Sequence, residues 1–444
     1  MRIQFGVIAV IVMGALAPLS ARSQSLNLQN LLLDVLSNGV TLSTAATGDN
    51  HAAHFTADSE AALGANDQFL AVSRLNTEIG RQLSSFPLSS SAGSFSYEFD
   101  ATLGVLTRPT QSFGSVYTER PFTVGQGKYN LGVSFAQFSF DRLDDLLLRD
   151  GDLRLVFLHE DADGDGRVRP FFEGDIVAAD LFIDLDVNVT TIAATYGVRD
   201  RLDVGLVIPV VDVSLDVLTD ANVLALASGS GTHLFSNGTT SKTTRRGGHA
   251  QGVGDVSLRA RWLPSAFGAD DFRTGVTGEI RFPTGDERNL LGTGATQFKA
   301  SVLFSKPMGA LGVHGIMGVG GGTEDIPVEV QYAGGADWTV DPKLTLAFDV
   351  LGRTVDEQPE IQVADRTYEY NTATDGSVVL DRVDLPTLDV DGGSLSKRSE
   401  LTASVGFKLN VWDTFLLTAN GLFPLNEVGL RDDFSTLIGV DYSF

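Results

Sequence analysis

Carboxylates recur at alternate positions in one short segment of the chain. Asp161, Asp163 and Asp165 are separated by single residues, and two glycines lie among them. Side-chain oxygens in this spacing can wrap a hard cation such as calcium. An EF-hand also requires Glu at the twelfth position, where this chain has Phe172, and Glu173 comes one place late. Asp161, Asp163, Asp165 and Glu173 are therefore a candidate calcium site, and an acidic hairpin loop without an ion is the alternative.

A second set of charged side chains alternates with apolar residues in segments of about 10–12 residues, a length that suits a tilted transmembrane strand. Successive strand residues point to opposite faces, so these charges would share the polar face of each strand. That face is expected to line a wet lumen, where the charges tune the passage of a solute or form a structural ladder that stiffens the wall. The set comprises Arg259, Arg261, Arg273, Glu279, Arg281, Lys299, Asp337, Asp349 and Lys408.

Catalysis by a nucleophile would need a base close to it. The six histidines are His51, His54, His159, His233, His249 and His314. No Gly-x-Ser-x-Gly spacing supplies a serine nucleophile for any of them. His51 and His54 form an isolated pair without further metal ligands. We therefore expect no enzyme, with a barrel hydrolase that uses one of these histidines as the alternative.

The elements that would position these charges are β-strands. Leu401, Ala403, Val405, Phe407 and Leu409 form an apolar face that alternates with Thr, Ser, Gly and Lys. Similar alternation continues through many segments, and after the N-terminal apolar run no apolar stretch is long enough for a helical span. A soluble sandwich would alternate in the same way, but charges near strand centres favour a transmembrane antiparallel β-barrel of about 12–14 strands.

The C-terminal strand supports this class of protein. Apolar and aromatic residues occupy alternate positions up to the terminal Phe444, with Tyr442 two residues before it. This pattern is similar to the signal that outer-membrane assembly machinery reads. Counting back from a periplasmic Phe444, short inner turns alternate with long outer loops. These include an acidic, strand-poor loop at 354–398 and a Ser/Gly/Thr-rich loop at 217–251.

The N-terminal region is unlike the barrel. Residues 1–23 contain an apolar run followed by small residues, as in a secretory signal peptide. Val72, Leu75 and Ile79 follow helical spacing, and Leu26 to Leu36 is a second candidate helix. We expect 24–94 to be a partly helical extension or a lumenal plug, and assign 95–444 to the barrel.

Composition excludes several classes. The net charge of −24 argues against nucleic-acid binding, and the lack of cysteine rules out disulfides and Cys-ligated metals. No cofactor other than calcium is expected. The expected location is the outer membrane of a Gram-negative bacterium, in contact with its lipids and lipopolysaccharide.

Several phrases between about residues 110 and 310 resemble the phenol-degradation meta-pathway (MetA-like) family of outer-membrane proteins, which is related to long-chain fatty-acid channels. The resemblance implies a passive channel or transporter for small hydrophobic or aromatic compounds and supplies no catalytic residues. The alternative is a structural or surface-interaction barrel with acidic outer loops. The phrases are Ser112-Phe113-Gly114, Thr118-Glu119-Arg120-Pro121, Val124 to Lys128, Tyr196 to Gly205, Gly252 to Val256 and Arg281 to Asp286.

Overall fold

The protein is described here by a computed structural model. It describes residues 27–43, 68–83, 95–96, 98–100, 105–107, 112–159, 174–226, 233–264, 272–323, 326–372, 377 and 379–444. Most of these residues lie in β-strands.

Twelve antiparallel strands close into a barrel, at the lower limit of the number that the sequence predicts. The strands are β3 (Tyr129–Phe140), β7 (Ile176–Arg199), β8 (Leu202–Leu224), β10 (Val256–Trp262), β11 (Arg273–Phe282), β12 (Gln297–Met308), β13 (Leu311–Gly322), β14 (Glu329–Asp341), β15 (Leu344–Asn371), β16 (Leu380–Trp412), β17 (Phe415–Pro424) and β19 (Ser435–Ser443). Around the wall the order is β7-β3-β19-β17-β16-β15-β14-β13-β12-β11-β10-β8, and β8 pairs with β7 to complete the ring.

The two faces of the wall have opposite polarity. Val302 and Met317 are 52% and 61% exposed on the outside, whereas Ser301 and Lys408 on the inside are 3% and 1% exposed. A protein in water would bury the first pair and expose the second. An apolar exterior around a polar interior is the distribution of a membrane-spanning barrel.

One end of the barrel, which we call the short-turn end, carries the tight connections and a girdle of aromatic rings. The backbone of Phe444 exchanges hydrogen bonds of 2.9 and 3.0 Å with that of Tyr129. These bonds join β19, the last strand of the barrel, to β3, its first. Their rings stack at 5.3 Å, and Tyr442 packs beside Phe444 at the same centroid distance. The chain's three tryptophans also lie towards this end, and such girdles mark a membrane interface. They are Trp262, Trp338 and Trp412.

At the opposite, long-loop end several strands continue beyond the barrel. The extension of β7 pairs with β6 (Leu153–Leu158), and that of β8 pairs with β9 (Ser241–Val253). The extensions of β15 and β16 pair with each other and form a long ribbon. The prediction that 354–398 is strand-poor is therefore wrong. The interpretation of 217–251 as a loop is wrong at both ends, because β8 continues to Leu224 and β9 begins at Ser241. The β15–β16 ribbon carries polar residues on much of both faces, so it lacks the apolar stripe that identifies a membrane strand. Minor strands are β1 (Glu98–Asp100), β2 (Val105–Thr107), β4 (Arg142–Leu143), β5 (Leu146–Leu147) and β18 (Leu430–Arg431), and Glu287–Asn289 form a 3-10 turn.

Two helices pack at the long-loop end, as the sequence predicts for the N-terminal region. They are α1 (Leu28–Val40) and α2 (Gln68–Leu83). Asn27 caps α1 by accepting a hydrogen bond from the amide of Gln29. The apolar faces of both helices join one hydrophobic core with β6 and the upper parts of β7 and β8. Neither helix has the length and hydropathy of a membrane span.

Candidate functional site

The segment 112–128 enters the lumen at the short-turn end, and we call it the stopper. It has no regular secondary structure over most of its length, yet Phe113, Val116 and Val124 are almost completely buried. Gly114 and Gly127 both have a φ of +75°, a conformation that glycine adopts without a steric penalty. The stopper therefore fills this end of the lumen as a folded insert.

A buried charge cluster fixes the stopper to β13, β14 and β15. Nδ1 of His314 lies 3.1 Å from Asp337, and its Nε2 lies 2.7 Å from Asp349. On the stopper side, Ser115 donates a hydrogen bond to Asp349, and a guanidinium nitrogen of Arg120 lies 4.0 Å from Asp337. Each aspartate thus contacts both the wall and the stopper.

Backbone groups of the stopper are also held by wall side chains. Lys408 donates to the carbonyl of Ser115, and the Thr345 hydroxyl accepts a 3.1 Å hydrogen bond from the amide of Phe113. Asp203 accepts a 3.0 Å hydrogen bond from the amide of Val124. Because irregular backbone in a lumen must find hydrogen-bond partners, these wall residues meet a structural demand of the stopper.

Above the stopper the lumen contains a cavity of about 280 Å³, which we call the chamber. Tyr117 and Glu119 of the stopper form its floor, and Arg81 and Gln82 of α2 reach it from the long-loop end. Its wall is formed by the strands from β10 to β16. Charged wall residues of the chamber are Arg259, Glu279, Arg281, Lys299, Glu329, Arg353 and Glu400.

The chamber charges are arranged by strand register. Glu279 of β11 is the cross-strand partner of Arg259 in β10 and of Lys299 in β12. Its carboxylate lies 2.7 Å from Nε of Arg259 and 3.4 Å from a guanidinium nitrogen of Arg281. Farther round the wall, Arg353 lies 2.7 Å from Glu329 and 3.5 Å from Glu400. The result is a belt of alternating charge around one side of the lumen.

Helices α1 and α2 cover the long-loop end of the lumen, and we call them the roof of the chamber. A second ion network attaches α2 to the barrel. Glu78 of α2 lies 2.6 Å from Arg81 and 3.6 Å from Arg398 of β16, and Arg398 also contacts Asp144. Burial alone would raise the pKa of Glu78, but the neighbouring guanidinium groups outweigh it and hold this pKa below its ordinary value. Glu78 is therefore ionised in the folded protein at neutral pH.

The structure brings the predicted lumenal charges together in two groups. Four of them line the chamber: Arg259, Glu279, Arg281 and Lys299. The remaining five lie closer to the short-turn end, against or near the stopper. Arg261 binds Glu119 at 2.8 Å, and the guanidinium of Arg273 lies 5.4 Å from the ring centre of Phe122. Asp337, Asp349 and Lys408 belong to the contacts described above. The candidate calcium ligands Asp161, Asp163, Asp165 and Glu173 lie outside the described residues.

Sequence reasoning missed the partners of these charges. Glu329, Arg353 and Glu400 are chamber residues, and the alternation around Glu329 and Gln331 was a signal that could have identified the first. Arg353 and Glu400 lie at or near the borders of a segment interpreted as loop. His314 appeared only as an isolated candidate base, but both its ring nitrogens face carboxylates. That geometry suits a structural cation and leaves neither nitrogen directed at a serine hydroxyl.

Comparison with known proteins adds little beyond the architecture. No protein-family model matches the chain, and no curated protein matches its sequence. The NanC porin is 8% identical, with 70% of this chain and 98% of that chain covered and a TM-score of 0.33. A Pseudomonas aeruginosa FadL homologue is 12% identical over 79% of this chain and 94% of its own, with a TM-score of 0.29. The Ralstonia pickettii toluene transporter TbuX is 12% identical over 81% and 97% of the two chains, with a TM-score of 0.25. Likenesses this slight carry no argument about function.

Proposed function

We propose that this protein is a passive channel for a small solute in the outer membrane of a Gram-negative bacterium. The single observation that carries the proposal is the chamber of about 280 Å³ in the lumen, between the stopper and α2. A volume near the lower end of the range for ligand sites suits a small molecule. In this proposal the short-turn end faces the periplasm, because outer-membrane barrels have short periplasmic turns and longer outer loops.

The stopper and the helices give such a channel two closed ends. Solute would enter past α1 and α2, occupy the chamber and leave when the stopper shifts from the wall. Because the stopper is held by discrete ion pairs and hydrogen bonds, a closed and an open arrangement are the natural states of the gate. The sequence resemblance to the MetA-like family supports small aromatic compounds as the solutes.

Conductance in planar bilayers tests the proposal. In the variant Arg120→Gln/Asp337→Asn, the loss of one stopper ion pair with no change in net charge should raise the frequency of open events above that of the wild type. A matched control is Arg382→Gln/Glu369→Gln, which removes an exposed 2.7 Å ion pair on the ribbon and should leave conductance unchanged. If neither the wild type nor the stopper variant conducts ions or admits aromatic solutes into liposomes, the channel proposal is wrong.

One observation favours a second candidate, a barrel that presents a surface to a partner. The β15–β16 pairing continues from Leu344 and Leu409 as far as Asn371 and Leu380, well beyond the membrane-facing part of the wall. Outer loops that contact lipopolysaccharide, calcium or a neighbouring cell would use such a ribbon. Shortening the ribbon should abolish cell or lipopolysaccharide binding in this alternative and leave solute uptake intact in the channel proposal.

A further inference from the structure

The distribution of charge in the chamber is uneven. On the wall formed by β10, β11 and β12, three cations surround one carboxylate: Arg259, Arg281 and Lys299 are arranged about Glu279. The floor adds little negative charge to this wall, because Glu119 is shared by Arg261 at 2.8 Å and Arg259 at 3.6 Å. A local excess of positive charge therefore remains on one side of the chamber.

The adjoining part of the wall, formed by β14, β15 and β16, is closer to neutrality. Arg353 lies between Glu329 and Glu400, with contacts of 2.7 and 3.5 Å. Arg81 of α2 binds Glu78 at 2.6 Å and also interacts electrostatically with Glu400 of this part of the wall. Among the described residues the chamber is lined by five cations and four carboxylates, although the whole chain has a net charge of −24. The lining thus lacks the negative charge of the rest of the chain, and the cations grouped on the β10–β12 side attract anions.

Apolar side chains complete the lining. The ring of Tyr117 lies at the floor, Ile316 and Leu351 reach the chamber from the wall, and Leu430 borders it near α2. A pocket with a few convergent charges and an apolar remainder selects ligands with one charged group and one apolar body. The guanidinium groups match a carboxylate in geometry, because their paired N–H donors can bind both oxygens.

From these observations we infer that the chamber binds a small monocarboxylate with a compact apolar body, of the chemical class of benzoate. The carboxylate lies against Arg281 and Lys299, and the apolar body lies against Tyr117, Ile316 and Leu351. This inference rests on the proposed function in that it names the solute class of the same chamber. It adds that the chamber selects anionic solutes, since a neutral or cationic analogue lacks the carboxylate that the cations attract.

Equilibrium dialysis of the full chain in detergent tests the inference without requiring transport. Benzoate, benzyl alcohol and benzylamine share one ring and differ in charge. Benzoate should bind about tenfold or more tightly than either analogue, the ratio expected from one additional charged contact. Equal binding of the three, stronger binding of benzylamine, or no binding of benzoate would each overturn the inference.

Variants locate the site. Arg281→Gln/Lys299→Gln should remove the preference for benzoate, whereas Lys299→Arg keeps the charge and should retain it. The control Arg382→Gln/Lys397→Gln makes the same charge change on the exposed ribbon, where both side chains are at least 70% exposed, and should bind as the wild type does. An equal loss in the control would overturn the assignment to the chamber. Conductance is measured separately: benzoate binding without conductance refutes only the channel, and conductance without benzoate preference refutes only this inference.

Discussion

Nε2 of His314 lies 2.7 Å from Oδ1 of Asp349, and the opposite nitrogen of the same ring lies 3.1 Å from Asp337. Ionised carboxylates only accept hydrogen bonds, so an imidazole placed between two of them must carry both protons, because a neutral ring has only one N–H. We therefore expect His314 of β13 to be a buried cation between Asp337 of β14 and Asp349 of β15, and both aspartates also contact the stopper. This arrangement couples the stability of the wall to the position of the stopper.

The first prediction concerns that histidine. In His314→Ala, two buried aspartates lose their shared cation, which should cost about 3–5 kcal/mol of unfolding free energy. The stopper should also detach more often and raise the open probability. Urea unfolding and bilayer conductance measure the two effects. The control His249→Ala changes a histidine on the exposed face of β9 and should alter neither; equal effects in both variants would contradict the assigned role.

The second prediction uses two glycines with the same backbone conformation. Gly114 and Gly127 both have a φ of +75°, so an alanine at either position carries a similar strain of about 1–3 kcal/mol. A Cβ at Gly114 would overlap the guanidinium of Arg120, whereas one at Gly127 meets no atom of the described residues within 4 Å. Gly114→Ala should therefore displace Arg120 from Asp337 and increase conductance more than Gly127→Ala does. Indistinguishable conductance traces would show that Arg120 does not hold the gate.

The third prediction tests the helical roof. Leu32 on the buried face of α1 is fully buried, and Leu32→Ala should weaken the packing of this helix by about 2–5 kcal/mol. Limited proteolysis should then cleave the N-terminal region faster, and conductance should increase. Asn30→Ala on the exposed face of the same helix is the control. Faster cleavage without a change in conductance would mean that the helices pack at the mouth without closing it.

The fourth prediction concerns pH. The pKa of Glu78 in the folded protein is below its ordinary value of 4.5, so its ion pairs stabilise the roof at pH values above 4.5. This stabilisation is lost as the pH falls below 4.5 through the lower folded pKa. The hydrogen-exchange protection of residues 71–83, measured relative to the intrinsic exchange rate at each pH, should decrease in that range, and Glu78→Gln should reduce this decrease. A helix whose exchange depends on pH equally in both chains would refute this role for Glu78.

The fifth prediction concerns assembly. Phe444→Ser removes the terminal ring that stacks on Tyr129 and should lower the fraction of heat-modifiable, folded barrel in the outer membrane. The matched control is Phe423→Ser, another outward aromatic residue with a ring contact of 5.0 Å to Phe434 at the opposite end of the wall. Both changes cost about 0.5–1.5 kcal/mol of aromatic contact. Equal assembly yields would argue against a recognition role for the terminus.

The sequence alone determined the barrel, the direction of its side chains and the two helical segments. These features follow from local periodicity, because a strand repeats every two residues and a helix every 3.6. The lumenal position of all nine predicted charges, from Arg259 to Lys408, is a consequence of that repeat. Where polar residues occupy both faces, as in the ribbons of β15 and β16, the repeat is lost and the strand bounds could not be predicted.

Only the tertiary structure decided which charges meet and what they enclose. The stopper contacts wall residues that are distant in sequence: Phe113 and Thr345 are 232 residues apart, and Ser115 and Lys408 are 293 apart. Such pairs have no local pattern, because strand register and the path of an irregular segment set them. The chamber depends on the same contacts. A polar face is encoded residue by residue, but a cavity exists only once separate parts of the chain close around it.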